Sequence, residues 1–373
     1  ITVRERTPGE SASIDPLILT IMTKLLPLRQ CLGIDVSKDH LHVSFSNQES
    51  DQRIREIASS KFKNNSPGLN QLIVWIKKHR HGEADLVLVM EATGVYHEQA
   101  AYFLHEKGFK VSVLLPNKAK AFARSLNAKS KTDDIDAKIL AQMGLERKLE
   151  QWKPASENML KIKRLCRERV ALQQHKTAAM NQSHACKSAH LPEKSSQTRW
   201  KQLIRFLNKQ IKEVEQNIKQ IVLKDPVLKG KVEKICVVKG LGLISVISII
   251  AETDGFALFR NKAQLISFSG YDVVQRESGT SVKGVTRISK KGNSHIRRAL
   301  HFPALVVVKH EKQFQAFFQR TLEKSFIKMK AYVAVQRKIL VLIYTLYKNN
   351  SDYDPQYLFL QQPQKNRQEP CPA

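Results

Sequence analysis

The spacing of apolar residues changes character along this chain, and each change marks a different kind of element. Leu32-Gly33-Ile34 is a short apolar run ending at Asp35 and reads as a buried strand. Leu41, Val43 and Phe45 alternate with polar neighbours and predict a second strand after a turn over Ser37-Lys38-Asp39-His40. A weaker third strand is expected around Arg53 to Ser59. Pro67 opens a helix carrying Leu69, Leu72, Ile73 and Ile76. Then come a strand over Asp85 to Met90, a helix over His97 to Lys107 stopped by Gly108, and a strand over Lys110 to Leu115 ended by Pro116. The stretch to about Glu150 predicts two helices parted near Lys129 to Thr132. Three strands, then helix, strand, helix, strand and helices is the order of a ribonuclease-H-like α/β fold.

Trp152-Lys153-Pro154 marks a boundary, and from there to Leu223 glycine is absent. Ile204, Leu207, Ile211, Val214, Ile218 and Ile221 recur at spacings of three and four, the seam of an antiparallel hairpin or of a coiled coil between subunits. Asp225-Pro226 opens a mostly helical last domain. Within it, Cys236 to Ser245 carries Lys239-Gly240-Leu241-Gly242 between apolar flanks and reads as a helix-hairpin-helix, whose glycines and helix-start N–H groups suit phosphate. Residues 270 to 298 are rich in Gly, Ser, Lys and Arg, and helices follow to about Leu346. The expected division is an extension over 1–28, an α/β domain over 29–150, a helical coiled-coil linker over 151–224, the last domain over 225–347 and a polar tail over 348–373, with both ends disordered.

Charge then narrows the partners. The 373 residues include 62 Lys+Arg against 34 Asp+Glu, a formal net charge of +28, which points to nucleic acid. No stretch approaches the roughly 20 apolar residues of a membrane span, so no membrane partner is expected. The five scattered cysteines fit a reducing compartment, and a cytoplasmic protein is expected.

Four acids stand out against that charge. Asp35 and Glu91 each end an apolar run, and Asp133 and Asp136 open a helical pattern three residues apart. A carboxylate closing a buried strand is costly unless it is paired or metal-bound. Carboxylates gathered at strand ends suit Mg2+ acting on phosphodiesters. The competing reading is that Asp133 or Asp134 is only a helix N-cap. Spacing alone barely separates Asp133 from Asp134.

Three segments, Gly33 to Lys38, Met90-Glu91-Ala92-Thr93-Gly94-Val95-Tyr96-His97 and Lys131-Thr132-Asp133-Asp134-Ile135-Asp136-Ala137, resemble the DEDD transposases of bacterial insertion sequences (the IS110 and IS1111 groups), whose relatives include the pilin-gene DNA invertases. Lys239 to Gly242, Glu277-Ser278-Gly279 and Ile288-Ser289-Lys290-Lys291-Gly292-Asn293 extend the likeness, which spans about residues 30 to 345 in the family's order. The resemblance implies a RuvC-like domain binding Mg2+ through Asp35, Glu91, Asp133 and Asp136. It also implies a helical linker and a C-terminal transposase domain supplying Ser278 as nucleophile, with Ser281 the next choice. A homo-oligomer, dimer or tetramer, and a structured bridge RNA pairing with donor and target DNA belong to the same implication. Lys239 stands where family members commonly carry Pro. Lys239, Gly240, Gly242, Lys290, Lys291, Arg297 and Arg298 are the expected nucleic-acid contacts. The alternatives are a metal-dependent nuclease or junction resolvase, a site-specific invertase and, last, a non-enzymatic nucleic-acid-binding protein.

Overall fold

The computed structural model describes residues 27–82, 84–127, 130, 132–257, 259–275, 277–278, 282–283 and 286–355. The expected disordered ends lie outside these residues over 1–26 and 356–373. The chain divides into two compact units, one through Pro154 and one from Ala155.

The first unit is built on a five-stranded sheet: β1 (Arg29–Val36), β2 (His40–Gln48), β3 (Ile54–Lys63), β4 (Asp85–Glu91) and β5 (Lys110–Leu114), in the order β3-β2-β1-β4-β5. β1, β2 and β3 form an antiparallel meander, whereas β4 and β5 run parallel to β1. This order and these directions are those of the ribonuclease H fold. β3 is longer than its sequence suggested because it pairs with β2 out to Lys63, with a register shift at Phe45/Ser46, despite few apolar positions.

Alternation along the central strands separates two cores. Leu32, Ile34, Leu88 and Met90 face a layer made by α1 (Ser66–His79) and α2 (Tyr96–Glu106). Cys31 and Val89 face the other way, toward α3 (Pro116–Ser125) and α4 (Asp133–Glu146). By the same period of two, Gly33 and Asp35 fall on the α4 side.

α4 lies hard against β1. A methyl group built on Gly33 would collide with the carbonyl oxygen of Ala137 and the amide nitrogen of Ala141, and one on Gly144 would strike Cys31 Sγ. At the far end Arg29 clamps the helix terminus, donating to the carbonyls of Leu145 at 2.7 Å and Gly144 at 3.1 Å. These residues fix both the closeness and the direction of α4, so its first turn lies at the Asp35 end of the strand.

The second unit is mainly helical. α5 (Glu157–Ser188) and α6 (Lys194–Lys224) pack together as a hairpin, followed by α7 (Pro226–Cys236), α8 (Leu243–Glu252), α9 (Lys262–Phe268), α10 (Ser294–Ala299), α11 (His301–His310), α12 (Lys312–Ser325) and α13 (Lys328–Asn349). The expected seam on α6 buries Leu207, Ile211, Val214 and Ile218 within this chain, with Val222 in place of Ile221 as the last buried position. A second subunit therefore does not cover that stripe; α5 does. Arg169 pairs with Glu215 across the hairpin at 2.6 Å.

Two features depart from the sequence reading. Between α9 and α10 the chain forms two short ribbons, β6 (Val273–Val274) with β9 (Arg287–Ile288) and β7 (Glu277–Ser278) with β8 (Val282–Lys283), where the sequence reading assigned no strand. The tail also begins later than 348. α13 continues to Asn349, and Tyr353 is then held by Glu311 Oε2 at 2.9 Å and by Gln313 at 2.7 Å. No helix among the described residues is long and apolar enough to cross a membrane.

Gly33 and Gly230 make opposite predictions. Gly33→Ala forces two backbones apart and should lower unfolding free energy by about 3 kcal/mol or more. Gly230 lies inside α7 with open space around it, so Gly230→Ala should leave stability unchanged or raise it by up to about 1 kcal/mol. Urea titrations of the two variants check the pair.

Candidate active site

The parallel register places Ile34 beside Met90, so Asp35 and Glu91 are next neighbours at one edge of the sheet. Asp35 is half-buried. Burial first, then the charges of Asp133, Asp136 and Glu91, push its carboxyl up to about 6. The three acids acting on Asp35 are those of the sequence reading, brought from β4 and from α4.

Thr132, not an aspartate, is the N-cap of α4; its side-chain oxygen accepts from the Ile135 amide at 3.3 Å. The capping explanation for Asp133 and Asp134 therefore falls away. Asp133 and Asp134 are both exposed and meet a residue that the sequence reading did not single out. His42 Nδ1 lies 2.9 Å from Asp134 Oδ1, and His42 Nε2 lies 3.5 Å from Asp133 Oδ2. The signal for His42 was present in the hairpin: a short turn between β1 and β2 pairs position 35 with position 42. Beyond it, Glu56 of β3 accepts from Ser44 at 3.2 Å and pairs with Lys138 of α4 at 2.9 Å.

As placed, no three His, Cys, Asp or Glu side chains among the described residues converge closely enough to hold one metal ion. The chemistry of the set nevertheless fits a divalent cation. It is all oxygen, it is carried on two strands and one helix, and its members repel one another at a half-buried aspartate. Asp133, mostly exposed at a helix start, can swing toward Asp35 without disturbing the core.

The expected nucleic-acid residues fall into different situations. The Lys239 amide already donates to Glu311 Oε1 at 3.2 Å, and Gly240, at φ 106°, packs on Val307. The hairpin turn is thus anchored on α11 and the start of α12, while Gly242 is exposed as the N-cap of α8. Lys290, Lys291 and Arg298 are exposed. Arg297 is a brace instead, donating to the carbonyl of Ser269 at 2.9 Å and that of Gly292 at 3.3 Å. Ser278 lies on β7 opposite Val282, at the end of a ribbon whose tip, with Ser281, is outside the described residues. The side chain of Ser278 is likewise outside them.

A network centred on the buried Glu252 supports the neighbouring loop. Glu252 accepts two bonds from Arg167, at 2.7 and 2.9 Å, and one from Asn293 at 2.7 Å. Burial pushes the Glu252 carboxyl up, but these donors outweigh it and hold it below its ordinary value. The carboxamide oxygen of Asn293 meanwhile caps α10, accepting from His295 and Ile296.

Asp35→Asn removes a carboxylate whose ionised form is disfavoured in the fold. A rise from 3.8 to about 6 corresponds to about 3 kcal/mol at full burial, and partial exposure cuts that to about 1 kcal/mol. The folded-state value is the raised one, so the penalty is absent below pH about 4 and complete above about 6. In chelator at pH 7.5 the variant should be the more stable by about 1 kcal/mol in urea, with the advantage gone at pH about 3.5. Arg297→Ala should lower the melting temperature, whereas Arg298→Ala should not.

Comparison with known proteins gives a consistent account. A family described as a DEDD transposase of the IS110 type matches residues 32–192, and the Transposase IS116/IS110/IS902 family matches residues 232–319. Two relatives named pilin gene-inverting protein, from Moraxella bovis and Moraxella lacunata, are each 27% identical over 324 residues, covering 87% of this chain and 97% of theirs. Among solved structures, Thermus thermophilus RuvC in complex with a Holliday junction is 13% identical, covering 33% of this chain and 99% of that one at a TM-score of 0.25. A yeast mitochondrial Holliday junction resolvase is 14% identical, covering 35% of this chain and 84% of that one at a TM-score of 0.24. With one family match on the acidic sheet edge and its linker and a second on the hairpin and basic loop, the chain belongs to the IS110 family of DEDD transposases, enzymes that cut and join DNA.

Proposed function

We propose that this transposase moves its element with Mg2+ held by Asp35, Glu91, Asp133 and Asp136, with Ser278 as the nucleophile and a bridge RNA choosing donor and target DNA. The observation that supports it most is the repulsion of the half-buried Asp35 by three other carboxylates, Asp133, Asp136 and Glu91, in a chain of net charge +28. Enzymes of the DEDD and RuvC-like type are typically metal-dependent. Asp133 is preferred to Asp134 as the third acid because Asp133, with Asp136 and Glu91, raises the Asp35 carboxyl.

Bound there, Mg2+ would supply electrostatic stabilisation of the charge that builds on phosphate oxygens. The Ser278 hydroxyl oxygen forms a bond to phosphorus as its proton is lost to solvent. The bond from phosphorus to a deoxyribose oxygen breaks, and that oxygen takes up a proton as a free hydroxyl. The phosphoserine ester keeps the bond energy, so attack by another strand's hydroxyl reseals DNA and returns serine without ATP. The exposed Lys290, Lys291 and Arg298 offer positive charge to the backbone.

Inversion of a DNA segment is the second reading. It is favoured by relatives named for pilin gene inversion that align over nearly their whole length.

Incubating the protein with element-end DNA, candidate RNA and Mg2+, then denaturing, should reveal DNA covalently attached to protein, and Ser278→Ala should abolish it. An adduct that persists in Ser278→Ala would move the nucleophile elsewhere. Asp35→Asn, Glu91→Gln, Asp133→Asn and Asp136→Asn should each lower strand transfer about a hundredfold or more, with Asp134→Asn within about fivefold of wild type. Loss in Asp134→Asn with retention in Asp133→Asn would exchange their roles.

A further inference from the structure

The second unit contains a cavity of about 1180 Å³ apart from the hairpin turn of Lys239 to Gly242 and from the network at Glu252. Its walls are α9, the β6–β9 ribbon, α12, α13 and the chain after α13. Six cations line it: Lys262, Arg287, Lys290, Lys330, Arg337 and Lys338. Between them the surface is apolar, with Ile266, Val273, Phe317, Val333, Val341 and Leu342. Two acids also line it, and one of these, Asp352, is paired outside by Lys234 at 3.5 Å.

We propose that this cavity binds an unpaired DNA strand, with its phosphates on Lys262, Lys330, Arg337 and Lys338 and a base against the apolar wall. The cations and the apolar surface must be satisfied together, and this chooses the occupant. A duplex presents phosphates but keeps its bases stacked inside, leaving the apolar wall unused. An apolar peptide leaves the cations without counter-charge. An unpaired nucleotide supplies one phosphate and one flat apolar face.

The electrostatics agree with the geometry. Burial, then the charges of Arg337, Arg320 and Lys262, lower the affinity of the Lys338 amine for its proton, so like charges crowd this wall. Lys338 lies 5.4 Å from the Phe317 ring centroid and Arg320 5.7 Å, which aligns two cations along an aromatic surface. Phe326, at the turn between α12 and α13, is 88% exposed in a left-handed backbone conformation at φ 54°. Phe326 is not among the residues lining the cavity, so its ring offers a base an apolar face only outside it. The proposal rests on the chain's action on DNA, because cutting and exchanging strands frees unpaired ends.

The test uses the full chain and a fluorescein-labelled oligothymidylate of about 12 nucleotides carrying one photoreactive 5-iodouracil. Crosslinks should map to peptides spanning 262–290 or 317–346. Lys330→Glu with Arg337→Glu should weaken binding, read by anisotropy, about tenfold or more at moderate salt. Lys212→Glu with Lys219→Glu, an equal charge change on the exposed face of α6, should change it less than about threefold. Melting temperatures of both variants confirm folding.

Crosslinks confined to other peptides overturn the proposal, as does equal weakening by both charge reversals. Tenfold preference for the matching duplex or for oligouridylate also overturns it. Tighter binding after removal of residues 356–373 would assign the cavity to that segment of the chain instead. Strand transfer is measured in parallel on element DNA, so transfer proceeding with crosslinks elsewhere sinks this site and leaves the transposase chemistry standing.

Discussion

The contact between Gly33 and the Ala137–Ala141 turn of α4 is the constraint on which the candidate site depends. A sheet and a helix normally keep about 10 Å between backbones because side chains separate them. Here the missing side chain lets the helix backbone settle onto the strand. That closeness carries Asp133 and Asp136 to Asp35, since both acids lie within one turn of Ala137. Arg29 fixes the other end of the helix by holding the carbonyls of Gly144 and Leu145. Strand, helix and acids are therefore one mechanical object, and the negative charge gathered at its end opposes the stability that its packing provides.

Such opposition is common where chemistry is done. A half-buried Asp35 surrounded by three other carboxylates would be a poor choice for a protein selected only to fold. His42 moderates the arrangement by meeting Asp133 and Asp134 from β2. The net charge of +28, carried by the chain as a whole, attracts phosphates at longer range. With the proposed metal in place, attraction over distance and coordination at contact would fall to different residues.

Much of this was legible in the chain because period decides it. Alternation in β1 and β4 placed Asp35 and Glu91 at strand ends on one face, and a spacing of three placed Asp133 and Asp136 together. What escaped has equally physical reasons. Arg29 acts through partners more than a hundred residues away, which no local pattern reveals; the hairpin register could place His42 opposite Asp35, but not against its partners on α4. The α6 seam had the right spacing, but an apolar stripe does not say whether its cover comes from the same chain; α5 supplies it. The ribbons β6 to β9 are two residues per strand, too short for alternation to register. Arg297 reads as a phosphate contact in sequence because its hydrogen bonds to Ser269 and Gly292 depend on how the chain folds back.

Asn293 joins two structures that could otherwise vary independently. Its oxygen starts α10, while its amide nitrogen shares Glu252 with Arg167 of the long helix α5. Only Glu252 of the three is buried: losing Arg167 leaves its carboxylate to the Asn293 amide alone, and losing Glu252 takes from Arg167 and Asn293 the acceptor they share. Asn293, Glu252 and Arg167 must therefore be exchanged as a set. Chimeras that graft the Ile288–Asn293 loop between transposases would have to carry a residue from the linker helix, about 126 positions upstream.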